Sequence, residues 1–273
     1  MKYKNLIFLP IILLIIVFCS QISASEYSFF IFKNSIYVLK ISDVQKYNIQ
    51  PYISEKLETV SEIAKKTNAF AVINGGFFDP KNMKTISYVV KDGQIIADPA
   101  LNENLTESKA LQSHLNKIYN RSELRINDCF GRTKFDIARH NLCGPLGCYV
   151  VHSIQAGPQL LPYMDLEDEF FVLKQNGKIV RNSAGVLNKT ARAAIGIKGN
   201  ELYLIVTKEE SKMNIYEFQT LLKKLNLDKA MAFDGGSSVS LYLNDCGKQT
   251  LVKGMSDGGL RKIKSALVLT SAK

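Results

Sequence analysis

Two short segments place a polar side chain and two glycines at the end of an apolar run. Ala71-Val72-Ile73 leads into Asn74-Gly75-Gly76-Phe77-Phe78-Asp79, and Ala230-Met231-Ala232-Phe233 leads into Asp234-Gly235-Gly236-Ser237-Ser238. Each apolar run reads as a buried strand. Glycines let the backbone approach a ligand closely, and consecutive free N–H groups can form an anion-binding concavity. Ser237 and Ser238 add hydroxyl donors. Two tight turns with ordinary Asx hydrogen bonds would use the same residues. The two segments taken together favour a site, because a third segment, Ala191-Arg192-Ala193-Ala194-Ile195-Gly196, sets an arginine among small residues where a hairpin strand begins. A guanidinium grips phosphate as a bidentate fork. The chemistry on offer is anion binding beside one carboxylate, Asp234.

The elements that must position these residues alternate between strand and helix. Tyr27 to Ile41 reads as two strands around Lys33-Asn34-Ser35. Ser54 is placed to cap a helix over residues 55–67, whose apolar positions Leu57, Val60, Ile63 and Ala64 share a face. Asp92-Gly93, Asn176-Gly177 and Gly199-Asn200 each separate two strand-like runs and predict two-residue hairpin turns. Asn214 with Glu217 predicts a capping box opening a helix over 215–225. The segment Ser265 to Thr270 closes the chain as a strand. Residues 98–148 are more polar, with a helix expected over Thr106 to Tyr119 and an elaboration beyond it. The expectation is α+β: a single domain built on a mixed or antiparallel sheet with hairpins and a few packing helices.

The amino terminus has the layout of a secretory signal: Lys2 and Lys4, an apolar stretch from Leu6 to Phe18, and small residues Ser23-Ala24-Ser25. That stretch is short for a membrane span, which needs about 20 residues. Residues 1–25 are therefore read as a signal peptide and 26–273 as the exported domain, periplasmic or secreted, with no membrane span after cleavage. Cys129, Cys143, Cys148 and Cys246 remain beyond the signal. An even count in an exported chain points to disulfides, and four cysteines permit three pairings. The formal charge is +10, which favours anionic ligands. The basic residues are scattered, without a Lys/Arg block or an interleaved aromatic run, so no nucleic-acid partner is expected. The three histidines form no metal cluster, which argues against a metal-dependent nuclease. No cofactor or metal is expected, and a divalent ion near Asp234 is left open.

Asn-Gly-Gly-Phe-Phe at 74–78, Gln155-Ala156-Gly157-Pro158-Gln159-Leu160-Leu161, residues 191–196 and Asp-Gly-Gly-Ser-Ser at 234–238 occur in an order that resembles the phosphodiester glycosidase family. The resemblance extends over about residues 36–270 and is closest to small exported bacterial members. Where the family often has a third glycine after the aspartate, this chain has Ser237.

The resemblance implies hydrolysis of a sugar-1-phosphodiester, with an N-acetylglucosamine-type sugar favoured, releasing sugar and a phosphomonoester. An ordinary glycoside expels an alkoxide, the base of an acid near ~15.7. A phosphomonoester leaving group has a second pKa of about 6 and needs far less protonation. The usual pair of carboxylates then reduces to one, plus phosphate stabilisation. On that logic Asp234 is the base or nucleophile. Arg192, the Gly235-Gly236 backbone and Ser237 or Ser238 hold the phosphate, while Asn74, Gly75 and Gly76 bind sugar hydroxyls or phosphate oxygens. Asp79, Glu217 and Asp257 are candidates for a second carboxylate, each with a structural reading: a turn cap, a helix cap and a place in a glycine-rich loop. His152 reads as a core histidine. The competing expectation is a non-catalytic binder of anionic envelope glycans or glycosyl phosphates built from the same loops.

Overall fold

Strand alternation sets which residues meet at the centre of the molecule. In the strand Ile36–Ile41, Leu39 and Ile41 face one side while Ile36 and Val38 face the other; in Glu201–Thr207, Leu202, Leu204 and Val206 oppose Tyr203 and Ile205. Both faces of these strands are therefore apolar, and both are covered. The computed structural model of the protein describes residues 26–255 and 258–272. The signal expected over residues 1–25 and the candidate Asp257 lie outside the described residues.

Three antiparallel sheets carry the fold. The first has six strands in the order Tyr27–Phe32, Ile36–Ile41, Glu201–Thr207, Ala193–Lys198, Lys229–Ala232 and Gln159–Leu161. The second has the order Lys248–Lys253, Ser240–Asp245, Ala71–Asn74, Ile263–Ser271 and Tyr47–Glu58. The third has Gln94–Ala97, Val89–Lys91, Cys148–Gln155, Ser122–Cys129 and Arg132–Arg139. Inner faces of all three meet in one core that joins Ile195 and Met231 to Ile73 and Leu267, and to Leu124 and Ile154. The helix Ile215–Lys223 covers the outer face of the first sheet through Ile215, Phe218 and Leu222. The helix Val60–Thr67 covers the outer face of the second through Val60, Ile63 and Ala64. This is the α+β domain expected, with its strands divided among three sheets and a separate hairpin, Val172–Gln175 with Lys178–Asn182.

The three hairpin turns form where expected, with positive φ at Asp92, Gly93, Asn176, Gly177 and Gly199. The Asn214–Glu217 capping box is present. Two helical expectations are corrected. Residues 55–58 continue the strand Tyr47–Glu58, and the helix starts after Thr59, whose side chain forms a capping box with Glu62; Ser54 is buried in the strand and caps nothing. Residues 47–53 pair with Ser265–Ser271 and Glu58 pairs with Ile263 across a register shift, which anchors both ends of the extended segment against the local helical pattern. The helix expected over 106–119 is broken into Glu103–Thr106 and Leu115–Tyr119 with a 3-10 turn between. The region read as an elaboration contributes two full strands of the third sheet. One disulfide, Cys129–Cys148, ties that sheet's hairpin tip to its neighbour, and Cys143 and Cys246 are free and exposed. Among the described residues no helix is long and apolar enough to cross a membrane.

Candidate active site

Asn74 ends a strand of the second sheet, and Asp234 follows a strand of the first. The two glycine motifs meet across the gap between these sheets. The Asp234 N–H donates to the Gly75 carbonyl at 2.9 Å, and Asn74 Nδ2 donates to the Asp234 carbonyl at 2.8 Å. Asn74 Oδ1 accepts from the Ser240 N–H at 3.0 Å. Both ends of the Asn74 amide are thus spent on backbone, and the residue is 1% exposed. Gly75 donates to the Ser265 carbonyl and Gly76 to Ser265 Oγ at 2.9 Å. A Cβ on Gly76 would lie 2.3 Å from the Gln155 carbonyl, and one on Gly75 would lie 2.5 Å from Ile154. The first motif is therefore a joint between sheets. The N–H groups of Gly75 and Gly76, expected to bind ligand, are engaged here by Ser265, and Asn74 is engaged by the backbone of Asp234 and Ser240.

The second motif does face a cavity. Asp234, Gly235, Gly236, Ser237 and Ser238 line one wall of a space of about 470 Å³, a size that suits a small polar ligand. Gly236 takes positive φ there, and Gly254 packs against its carbonyl so closely that a Cβ would lie at 2.4 Å. Burial pushes the Asp234 carboxyl up to about 6. The Ser238 hydroxyl, the Arg261 charge and the Gly235 N–H oppose that shift. Such a carboxyl is ionised in most molecules at neutral pH and poorly solvated.

Arg192 sits directly behind this wall, its Nη1 3.8 Å from where a Cβ on Gly235 would stand. Its Nε donates to the Met213 carbonyl at 2.8 Å. Its Nη2 donates to the carbonyls of Val186 at 2.8 Å and Asn188 at 2.5 Å. The side chain is 4% exposed, and burial lowers its pKa to about 10. Arg192 thus has Nε and Nη2 of its fork occupied by backbone carbonyls, with Nη1 lying toward Gly235. What it holds is the segment 185–188, from which Gly185 and Asn188 line the cavity.

Three other arginines line the cavity: Arg121, Arg181 and Arg261. Arg121 lies 4.0 Å from the Phe171 ring centre and 5.7 Å from that of Phe77, and it donates to the carbonyls of Glu169 and Phe170. Burial lowers its pKa to about 9, against the pull of buried Glu169, so it remains a cation at neutral pH. Arg181 lies over Phe170 at 4.6 Å and donates to Ser183 Oγ; its Nε is buried without a hydrogen-bond partner in the described structure, and burial lowers its pKa. Arg261 lies over Phe78 at 5.7 Å. The rest of the wall is an apolar face of Phe77, Phe78, Ile86, Leu105, Leu111 and Ile118 and a polar stretch with Ser183, Asn188 and Thr190. Among the described residues lining this space, Asp234 is the one carboxylate. The arrangement is an anion trap around a single acid.

The other candidates fall outside the cavity. Asp79 accepts from the Lys81 N–H and from Asn104, Glu217 caps its helix and pairs with Lys189, and His152 accepts from the Asp92 N–H at 3.1 Å. Arg121, Arg181 and Arg261 escaped the sequence reading because each stands alone in the chain. The one usable signal was the Phe77-Phe78 pair, which offers aromatic faces to two of them.

The sequence matches the phosphodiester glycosidase family model over residues 67–270, and the chain belongs to that family, whose members are glycosidases acting on phosphodiesters. No curated protein matches it significantly. Among solved structures it is similar to a hypothetical protein from Synechocystis, with a TM-score of 0.59 and 14% identity over 90% of this chain. The chain spans 61% of that structure's length. It is also similar to the catalytic domain of zebrafish N-acetylglucosamine-1-phosphodiester alpha-N-acetylglucosaminidase, auto-inhibited by its pro-peptide. The TM-score there is 0.63, with 17% identity over 90% of this chain and 82% of that one. At these identities the two structures speak to the fold.

Proposed function

We propose that this chain hydrolyses the glycosidic bond of a sugar-1-phosphodiester, releasing the sugar and a phosphomonoester. The observation that carries the reading is the lone Asp234 carboxyl facing a cavity lined by Arg121, Arg181 and Arg261. The arginines receive the phosphodiester and stabilise the charge that grows on the departing phosphate. Its C1–O bond breaks and the electron pair leaves with the phosphate oxygen. Asp234 either takes a proton from the water that attacks C1, that proton then passing to solvent, or attacks C1 itself to form a glycosyl ester whose C1–O bond water then cleaves, freeing the sugar and the carboxylate. Because the leaving group is a weak base, no second carboxyl is required to protonate it, which suits a cavity with a single acid among its described residues. Ser237 and Ser238 offer hydroxyl donors beside the reacting centre. An N-acetylglucosamine-type sugar is favoured because the zebrafish relative acts on one. The disulfide Cys129–Cys148 and the amino-terminal sequence support an exported, periplasmic or secreted protein.

The test is turnover of N-acetylglucosamine-1-phosphodiesters by wild type, Asp234→Asn and Arg181→Gln. Free sugar released by wild type, abolished in the first variant and weakened in the second, supports the reading. Retained binding without turnover across several sugar phosphodiesters would replace it with that of a glycosyl-phosphate binder.

A further inference from the structure

The third sheet ends in a tip whose residues do not line the cavity and which the proposed chemistry does not use. Its turn, Phe130-Gly131, joins Ser122–Cys129 to Arg132–Arg139. Phe130 is 87% exposed and Leu146, on the adjoining loop, is fully exposed at 100%. The Cys129–Cys148 disulfide clamps the two segments together. The Phe130 ring lies against Gly147 so closely that a Cβ there would come within 2.4 Å of it. Phe130, Leu146, Arg132, Lys134 and Phe135 share the wall of one open groove.

The charges around this tip are sorted. Arg132 and Lys134 are exposed. The nearby acids are engaged by the protein: Asp128 accepts from the Gly131 N–H at 2.7 Å and from the Tyr149 hydroxyl at 3.0 Å, and Asp136 pairs with Lys229 at 2.5 Å. The tip therefore offers two protruding apolar side chains beside two cations, Arg132 and Lys134, with Asp128, held by neutral donors, as the one nearby acid not paired to a cation. Exposed apolar side chains of this size cost solubility without a partner. The complementary surface has an apolar interior under a layer of negative charge, which is an anionic phospholipid bilayer.

We propose that the tip bearing Phe130 and Leu146 docks the domain onto anionic bilayers, with both side chains entering the interface and Arg132 and Lys134 meeting lipid phosphates. The protein contains no tryptophan, so a single introduced indole reports its own surroundings without interference, even in the full chain. Phe130→Trp is mixed with vesicles of equal parts phosphatidylcholine and phosphatidylglycerol, and separately with pure phosphatidylcholine vesicles. The expected result is a blue shift of emission with the anionic vesicles only, lost when Arg132→Glu and Lys134→Glu are added. Leu146→Trp should behave likewise. Tyr163→Trp, at another exposed position, should not shift. No shift at 130 or 146 overturns the proposal and would leave a protein partner for the tip. A shift at 163 as large as at 130, or one that survives the charge reversal, also overturns it.

Discussion

Asn74 holds Asp234 by its main chain: its Nδ2 donates to the Asp234 carbonyl at 2.8 Å while its Oδ1 accepts from the N–H of Ser240. One side chain thereby fixes the residue bearing the cavity's carboxyl and the start of the following strand. Asn74→Ala leaves a buried carbonyl and a buried N–H unpaired, costing roughly 1–3 kcal/mol for each. Asn74→Asp keeps the acceptor, loses the donor and sets a carboxylate against a carbonyl. Both variants should lower the melting temperature, and both should lower kcat more than they raise KM, because the reacting carboxyl is displaced while the arginines stay. Thermal melts with steady-state kinetics check this. A variant with wild-type stability and a change in KM alone would mean Asn74 binds substrate directly.

The position of Asp234 also predicts opposite effects of pH on activity and stability. Its folded pKa, about 6, is above its ordinary value, so ionisation is harder in the folded state. The neutral form's advantage is fully present below the ordinary aspartate pKa and is lost as pH rises through about 6. Wild-type stability should therefore decline over that window from this group, while turnover, which needs the carboxylate, rises through it. Asp234→Asn removes the cost of the buried charge. It should melt higher than wild type at pH above about 7, by up to roughly 3 kcal/mol at 1.36 kcal/mol per pKa unit, with turnover down about 10²–10⁴-fold. A variant less stable than wild type at that pH would show that the carboxylate is a structural acceptor.

Arg192 and Arg181 should separate cleanly. Arg192→Ala strips hydrogen bonds from the carbonyls of Val186, Asn188 and Met213, costing about 2–4 kcal/mol, and Arg192→Lys should rescue little because an ammonium cannot reproduce the fork. Arg181→Gln faces the cavity instead. It should leave the melting temperature within a few degrees of wild type, raise KM and weaken inhibition by inorganic phosphate. Phosphate inhibition that is lost only in Arg192 variants of normal stability would reverse these assignments.

Much of this division was hidden in the sequence for physical reasons. The hairpin turns were legible because Asp-Gly, Asn-Gly and Gly-Asn need positive φ locally, and the Asn214–Glu217 cap because it is built within four residues. Asp234 was legible as the residue after a buried strand with two glycines behind it. The carbonyl partners of Arg192 were not, since they lie in 185–188 and 213 and a guanidinium fits carbonyls as well as phosphate. The start of the first helix was missed because the strand that pairs with Ile263–Ser271, far along the chain, runs past a register shift to Glu58, which pairs with Ile263.

The glycines of the two motifs should likewise respond differently to a single methyl. A Cβ on Gly76 meets the Gln155 carbonyl at 2.3 Å and Ser87 Oγ at 2.7 Å, and these are buried atoms that cannot move aside cheaply. Gly76→Ala should therefore destabilise by about 1–3 kcal/mol or more through overpacking. On Gly235 the nearest atom is the Ala191 carbonyl at 3.2 Å, followed by Arg192 Nη1 at 3.8 Å, so a methyl needs only a small shift. Gly235 adjoins Asp234 and lines the cavity, so Gly235→Ala should fold with nearly wild-type stability and lose turnover by moving the carboxyl or obstructing the phosphate. Urea melts and initial rates on both variants decide the matter. If Gly76→Ala folds normally but cannot bind substrate, the first motif is a ligand loop and the joint between the two sheets has been misassigned.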